Sequence, residues 1–188
     1  MGKFAQAALI IIDVQKAIDA GYHAAHGPRN NVDAEGKIAC LLAKWRADHR
    51  AIVHVRHDST FRESADRPGQ DGNNFKAEVM PLPNEAIIPK TTNSAFIGTP
   101  LEAQLRAARI NKLIVTGVST NNSVEATVRM AGNLGFTTFV VSDATAAFRR
   151  PALDGSLRPA EAVHSGALSD LHGEFATVVD TAELLQRA

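Results

Sequence analysis

Short apolar runs without strict polar alternation recur along this chain, and each is followed by residues with helical spacing. The runs are Ala8–Ile12, Ala51–Val55, Ala86–Ile88, Lys112–Thr116, Thr137–Ser142 and Phe175–Val179. A strand with one wet face alternates apolar and polar residues, whereas a mostly apolar run fits a strand covered on both faces. Between the runs, Ile38, Leu41, Leu42 and Trp45 form a helical stripe within Asp33–Asp48. Leu101 and Leu105 do the same in Pro100–Ala108, and Val124, Val128, Ala131 and Leu134 continue the pattern up to Gly135. Pro159–Leu171 and Thr181–Arg187 complete the predicted helices. Strands that alternate with helices imply a parallel sheet between helical layers, joined by right-handed crossovers. The segment His57–Pro83 lacks periodicity and is read as a rim or lid, or as a solvated insertion.

The chain has 188 residues, which suits a single domain over 1–188. Twenty basic residues balance twenty acidic ones, so no global field favours nucleic acid or an anionic membrane. The apolar run Ala7–Ile12 is too short to span a bilayer and no signal-peptide pattern precedes it, so a cytoplasmic protein is expected. One cysteine, Cys40, excludes an internal disulfide and a multi-cysteine zinc site. Cys40 is expected in the core, on the apolar face of its helix.

Three polar residues fall where apolar runs stop. Asp13 follows Ala-Leu-Ile-Ile-Ile, Lys90 follows Ala-Ile-Ile-Pro, and Ser123 lies just beyond Leu-Ile-Val-Thr-Gly-Val. Singly, they read as a turn residue, an exposed lysine and a helix cap. In a parallel sheet all three face the edge where α/β proteins bind ligands. Gly117 and Gly135 belong to no dinucleotide or phosphate-loop fingerprint, so no cofactor is expected.

With these residues in view, the chain resembles the isochorismatase-like cysteine hydrolases over nearly its full length. The matching segments are Ala8-Leu-Ile-Ile-Ile-Asp-Val-Gln15, Pro89-Lys-Thr-Thr-Asn-Ser-Ala-Phe96 and Gly117-Val-Ser-Thr-Asn-Asn-Ser-Val124, with Ser142-Asp-Ala144 and the helix around His164 behind them. The resemblance implies a three-layer α/β/α fold with a six-stranded, mainly parallel sheet. It also implies a homodimer or homotetramer acting on a small molecule, and an Asp, Lys and Cys triad that maps onto Asp13, Lys90 and Ser123. A non-proline cis peptide is implied between Val118 and Ser119, in a turn whose N–H groups near Asn122 and Ser123 would stabilise an oxyanion. Gln15, His57 and Phe96 are the expected substrate-binding residues, with core packing the other reading of Phe96.

Serine in the cysteine position is the departure. A thiol is readily made a thiolate by neighbouring charge, whereas a hydroxyl needs a base at the moment of attack. Three explanations stay open: an engineered replacement that traps substrate, a natural serine or Asp13-activated water, and the isochorismatase branch, where an aspartate protonates a vinyl ether without a covalent nucleophile. A catalytically silent binding protein is a further alternative. The first expectation is hydrolysis of a C–N bond in an amide, ureide or carbamoyl compound.

Nicotinamidases of this superfamily carry Asp-x-His with a further His, but Arg56-His-Asp-Ser-Thr-Phe61 lacks that spacing, so no zinc is expected. His54 reads as a core residue, His23 and His26 as loop residues, and His164 and His172 as structural or near a subunit contact. Arg29 and Arg67 are candidates for binding a substrate carboxylate.

Overall fold

Each apolar run becomes a strand of one sheet in the computed structural model, which describes residues 4–20 and 23–187. The strands are β1 (Ala8–Ile12), β2 (Ile52–His57), β3 (Ala86–Lys90), β4 (Lys112–Val118), β5 (Thr137–Ala146), the two-residue β6 (Arg150–Pro151) and β7 (Leu157–Arg158), and β8 (Thr177–Val179). The helices are α1 (Ala34–Ala47), α2 (Leu101–Ala107), α3 (Glu125–Asn133), α4 (Ala160–Leu171) and α5 (Thr181–Arg187). The main sheet has the order β3-β2-β1-β4-β5-β8, and every neighbouring pair is parallel.

The two faces of β1 explain the layers. Leu9 and Ile11 pack with Ile38, Leu41, Leu42 and Trp45 of α1 and Leu184 of α5. Ala8, Ile10 and Ile12 pack on the other side with Leu101 and Leu105 of α2, Val128 and Ala131 of α3, and Leu168 and Leu171 of α4. An unbroken apolar strand is therefore sandwiched between helices, which is the three-layer α/β/α arrangement.

Cys40 departs from expectation, because it is exposed. The buried stripe of α1 runs through Ile38, Leu41, Leu42 and Trp45. Cys40 lies two residues after Ile38, and a two-residue step turns a helix by about 200°, away from that stripe.

From β1 the chain adds β2 and β3 toward one edge, then returns to lay β4 on the opposite side of β1. The strand order thus reverses between β1 and β4, and open α/β sheets bind ligands beyond the strand ends at such a point. One strand over, the β4–β5 register jumps from Val115 opposite Val140 to Gly117 opposite Thr145. Asn31 Nδ2 donates to the carbonyls of Ser142 (2.8 Å) and Thr145 (2.7 Å), which braces the irregular stretch of β5.

The segment after β2 is strapped to the residues that follow β1. Gln15 Nε2 donates to the carbonyls of His57 and Asn73, both at 3.0 Å, and Gln15 Oε1 accepts from His57 N–H at 2.7 Å. Asn73 Nδ2 donates to His57 O, Asp58 Oδ1 and Asp66 O. Lys76 Nζ bridges Asp19 (2.6 Å) and Glu35 (2.7 Å). These bonds make the segment a fastened rim. Among the described residues, no helix is long and apolar enough to cross a membrane.

Candidate active site

Asp13, Lys90 and Ser123 meet at the reversal point. Asp13 directly follows β1 with φ +52°, and its N–H donates to Val55 O at 3.0 Å. Left-handed backbone is uncommon outside glycine but is tolerated by Asp. Lys90 ends β3. Ser123 sits in a π-helical turn, Thr120–Val124, that joins β4 to α3 after a cis peptide between Val118 and Ser119. Lys90 Nζ donates to Asp13 Oδ2 at 2.6 Å and to Ser123 Oγ at 3.2 Å. All three residues are buried, although 77 residues separate Asp13 from Lys90 and 33 separate Lys90 from Ser123.

The scaffold around the three groups is also bonded. Thr120 Oγ1 and His164 Nδ1 are 2.8 Å apart, so α4 steadies the turn. Ala95 N–H donates to Thr127 Oγ1 at 3.0 Å, holding the segment after Lys90 against α3. Asn122 N–H donates to Ser119 O at 3.0 Å and Val124 N–H reaches the same carbonyl at 3.3 Å. Asn122 N–H, expected from the sequence near an oxyanion site, is thus engaged within the turn.

The electrostatics are those of a buried, partly satisfied ion pair. Burial pushes the Asp13 carboxyl above its ordinary value, while Lys90 and the Ser123 hydroxyl pull it back. Asp13 Oδ1 has no hydrogen-bond partner. His57, paired in register with Lys90, is half-buried. Burial first, and then Lys90, hold its imidazole below the ordinary range.

Other expected site residues fall elsewhere. Gln15 is fully buried and its carboxamide clamps His57 and Asn73 together. Phe96 stacks on Phe136 at 5.7 Å within the core, in keeping with the packing alternative. Arg29 is paired with Glu35, so its guanidinium serves the rim, and Arg67 is half-buried and donates to Arg62 O. His54 is a core residue whose Nε2 lies 2.8 Å from Glu85 Oε2. His23 lies 3.9 Å from Asp66 Oδ2, His26 is exposed, and His172 Nδ1 accepts from Val178 N–H. Among the described residues, no group of three or more His, Cys, Asp or Glu is arranged to hold a metal ion.

The comparisons with known proteins agree with this fold. Residues 7–183 match the model of the isochorismatase domain. The chain belongs to the isochorismatase family. It is 42% identical over 178 residues to the uncharacterized isochorismatase family protein YrdC of Bacillus subtilis, covering 95% of this chain and 94% of that one. A solved isochorismatase-family structure from Chromobacterium violaceum superposes with a TM-score of 0.92 at 48% identity, covering 96% of this chain and 92% of that one. Streptothricin hydrolase of Streptomyces noursei is 32% identical over 151 residues, 79% of this chain and 57% of its own. This isochorismatase-family chain is a hydrolase.

Asn31 and Asn73 had no signal in the sequence. A lone asparagine in a polar loop reads as turn chemistry. Its real partners, the carbonyls of β5 for Asn31 and of the rim for Asn73, exist only once distant segments are packed.

Proposed function

We propose that this hydrolase cleaves a C–N bond in a small amide, ureide or carbamoyl compound. Asp13 is the base, Lys90 the orienting cation and Ser123 the attacking group. The observation that carries the reading is Lys90 Nζ standing 2.6 Å from Asp13 Oδ2 and 3.2 Å from Ser123 Oγ. Asp13 takes the hydroxyl proton as Ser123 Oγ attacks the carbonyl carbon, then passes it to the departing amine. Water, deprotonated by Asp13, cleaves the resulting acyl-serine ester as the proton returns to Oγ. Lys90 keeps the carboxylate ionised while holding both oxygens in place. N–H groups of the turn near Asn122 and Ser123 stabilise the developing oxyanion in this reading. The substrate is expected without a bound cofactor, and the assembly as a homo-oligomer that light scattering can read.

A second reading rests on the same carboxyl. Burial raises Asp13, which suits a group that gives up a proton as well as one that takes it. In that case Asp13 acts on water or on a vinyl ether, and Ser123 only binds.

The deciding experiment assays parent, Ser123→Cys, Ser123→Ala and Asp13→Asn proteins against a panel of amides, ureides and vinyl ethers. The triad reading expects Ser123→Cys to exceed the parent by orders of magnitude and Asp13→Asn to be inactive. Full activity in Ser123→Ala removes serine attack and favours the second reading. Absence of turnover by every variant, with tight ligand binding, indicates a silent pocket.

A further inference from the structure

His57 has no role in the triad, yet the sheet places it between two of its members. It ends β2, the strand lying between β1 and β3, and therefore stands between Asp13 and Lys90 across the sheet. Side chains alternate along a strand. Val53 and Val55 of β2 and Ile88 of β3 enter the core beneath α2, α3 and α4. Two residues beyond Val55 and Ile88 come His57 and Lys90, paired in register. Imidazole and ammonium thus project to one side of the sheet, the side on which Ser123 leads into α3.

The main chain of His57 is held independently of its ring. Gln15 bonds both its N–H and its carbonyl, and Asn73 Nδ2 adds a second donor to the carbonyl at 3.0 Å. The ring nitrogen Nδ1 is buried without a hydrogen-bond partner, and so is Asp13 Oδ1. Buried polar atoms are nearly always bonded, so one left open on the ion pair's own carboxylate and one on the histidine in register with its lysine mark places for bonds made by something bound.

We infer that His57 is a fourth functional group of the site: a neutral imidazole that, with Asp13 Oδ1, receives and orients the N–H or O–H groups of the bound substrate or attacking water. The inference rests on the hydrolytic reading above. A carboxylate only accepts, and a neutral imidazole with its proton on Nε2 accepts at Nδ1. In that tautomer the pair calls for a donor with more than one proton, such as an amide nitrogen or a water. The charged groups around His57 are Lys90 on β3, Asp13 after β1, and Asp66 and Asp58 on the rim. Asp58 is itself bonded by Arg56 and Asn73. Burial and Lys90 outweigh the three carboxylates and favour the neutral ring. Protonation would put a second cation beside Lys90 and remove the acceptor.

Two measurements test it. In ¹⁵N NMR of the full chain, His57 is expected to titrate below a free imidazole, to move up in Lys90→Met and to move down in Asp13→Asn. A His57 that titrates as a free imidazole and ignores Lys90→Met overturns the inference, and this readout needs no substrate. On an amide that Ser123→Cys protein hydrolyses, adding His57→Phe is expected to cut kcat/KM by about ten-fold or more, the scale of one lost hydrogen bond. His57→Gln is expected to keep more activity and to lose one ionisation from the acid limb of the pH profile. If His57→Phe fails to fold, the Gln variant's pH profile decides. An unchanged profile and rate in the folded variants overturn the inference while leaving the triad intact. If no amide is turned over at all, the C–N cleavage reading fails and the Lys90→Met shift alone decides whether His57 belongs to the site.

Discussion

A Cβ placed on Gly117 would stand 2.0 Å from the carbonyl oxygen of Ile12, its register partner on β1. Gly117 also has φ +122°, a backbone region that side chains rarely enter. The closeness of β4 to β1 at this level sets where Asp13 and the Ser123 turn emerge. Gly117→Ala is therefore expected to lose about 3 kcal/mol or more, since backbone on both sides must move. Urea unfolding checks this, and a parental midpoint would refute it.

Lys90 Nζ is buried against the Asp13 carboxylate. Removing one partner of a buried pair leaves the other uncompensated and costs about 3–5 kcal/mol. Lys90→Met is expected to unfold at lower denaturant at neutral pH and to recover part of the loss in acid, where Asp13 becomes neutral. A loss that is the same at both pH values would argue against the ion pair as its source.

Asp13 must be ionised to act as a base, and burial raises its carboxyl. The acid limb of kcat/KM, measured in Ser123→Cys protein, is thus expected above the usual aspartate value of about 3.9. Activity should rise with pH through that limb. If activity instead falls as Asp13 ionises, the carboxyl works as an acid and the vinyl-ether reading gains.

Glu85 offers a pH test remote from the chemistry. Burial alone would raise its carboxyl, but the bidentate Arg46 guanidinium, the Leu82 N–H and His54 outweigh it and hold the pKa at about 2. A depressed folded value stabilises the fold above the ordinary value of 4.5, and this contribution is lost as pH falls toward about 2. The stability gap between parent and Glu85→Gln should be widest above pH 4.5 and shrink as the solution is acidified through that window. A gap independent of pH would assign the effect to packing.

Periodicity carried the layered architecture. The six apolar runs and the helical stripes were readable from spacing alone, because covering a strand on both faces or a helix on one forces that local pattern. The two-residue strands Arg150–Pro151 and Leu157–Arg158 escaped, being too short for any pattern to show. Asp13, Lys90 and Ser123 were legible as strand-end polar residues within family motifs. The clamp made by Gln15, the bond from Asn122 N–H to Ser119 O and the exposure of Cys40 were not, since each depends on neighbours that only packing supplies. Gln15 is a clamp because His57 and Asn73 come within bonding distance of it, and their sequence separations of 42 and 58 residues leave no local trace. The unpartnered Nδ1 of His57 belongs to the same class: its strand could be read from an apolar run, but its place between the strands that carry Asp13 and Lys90 exists only after β1, β2 and β3 lie side by side.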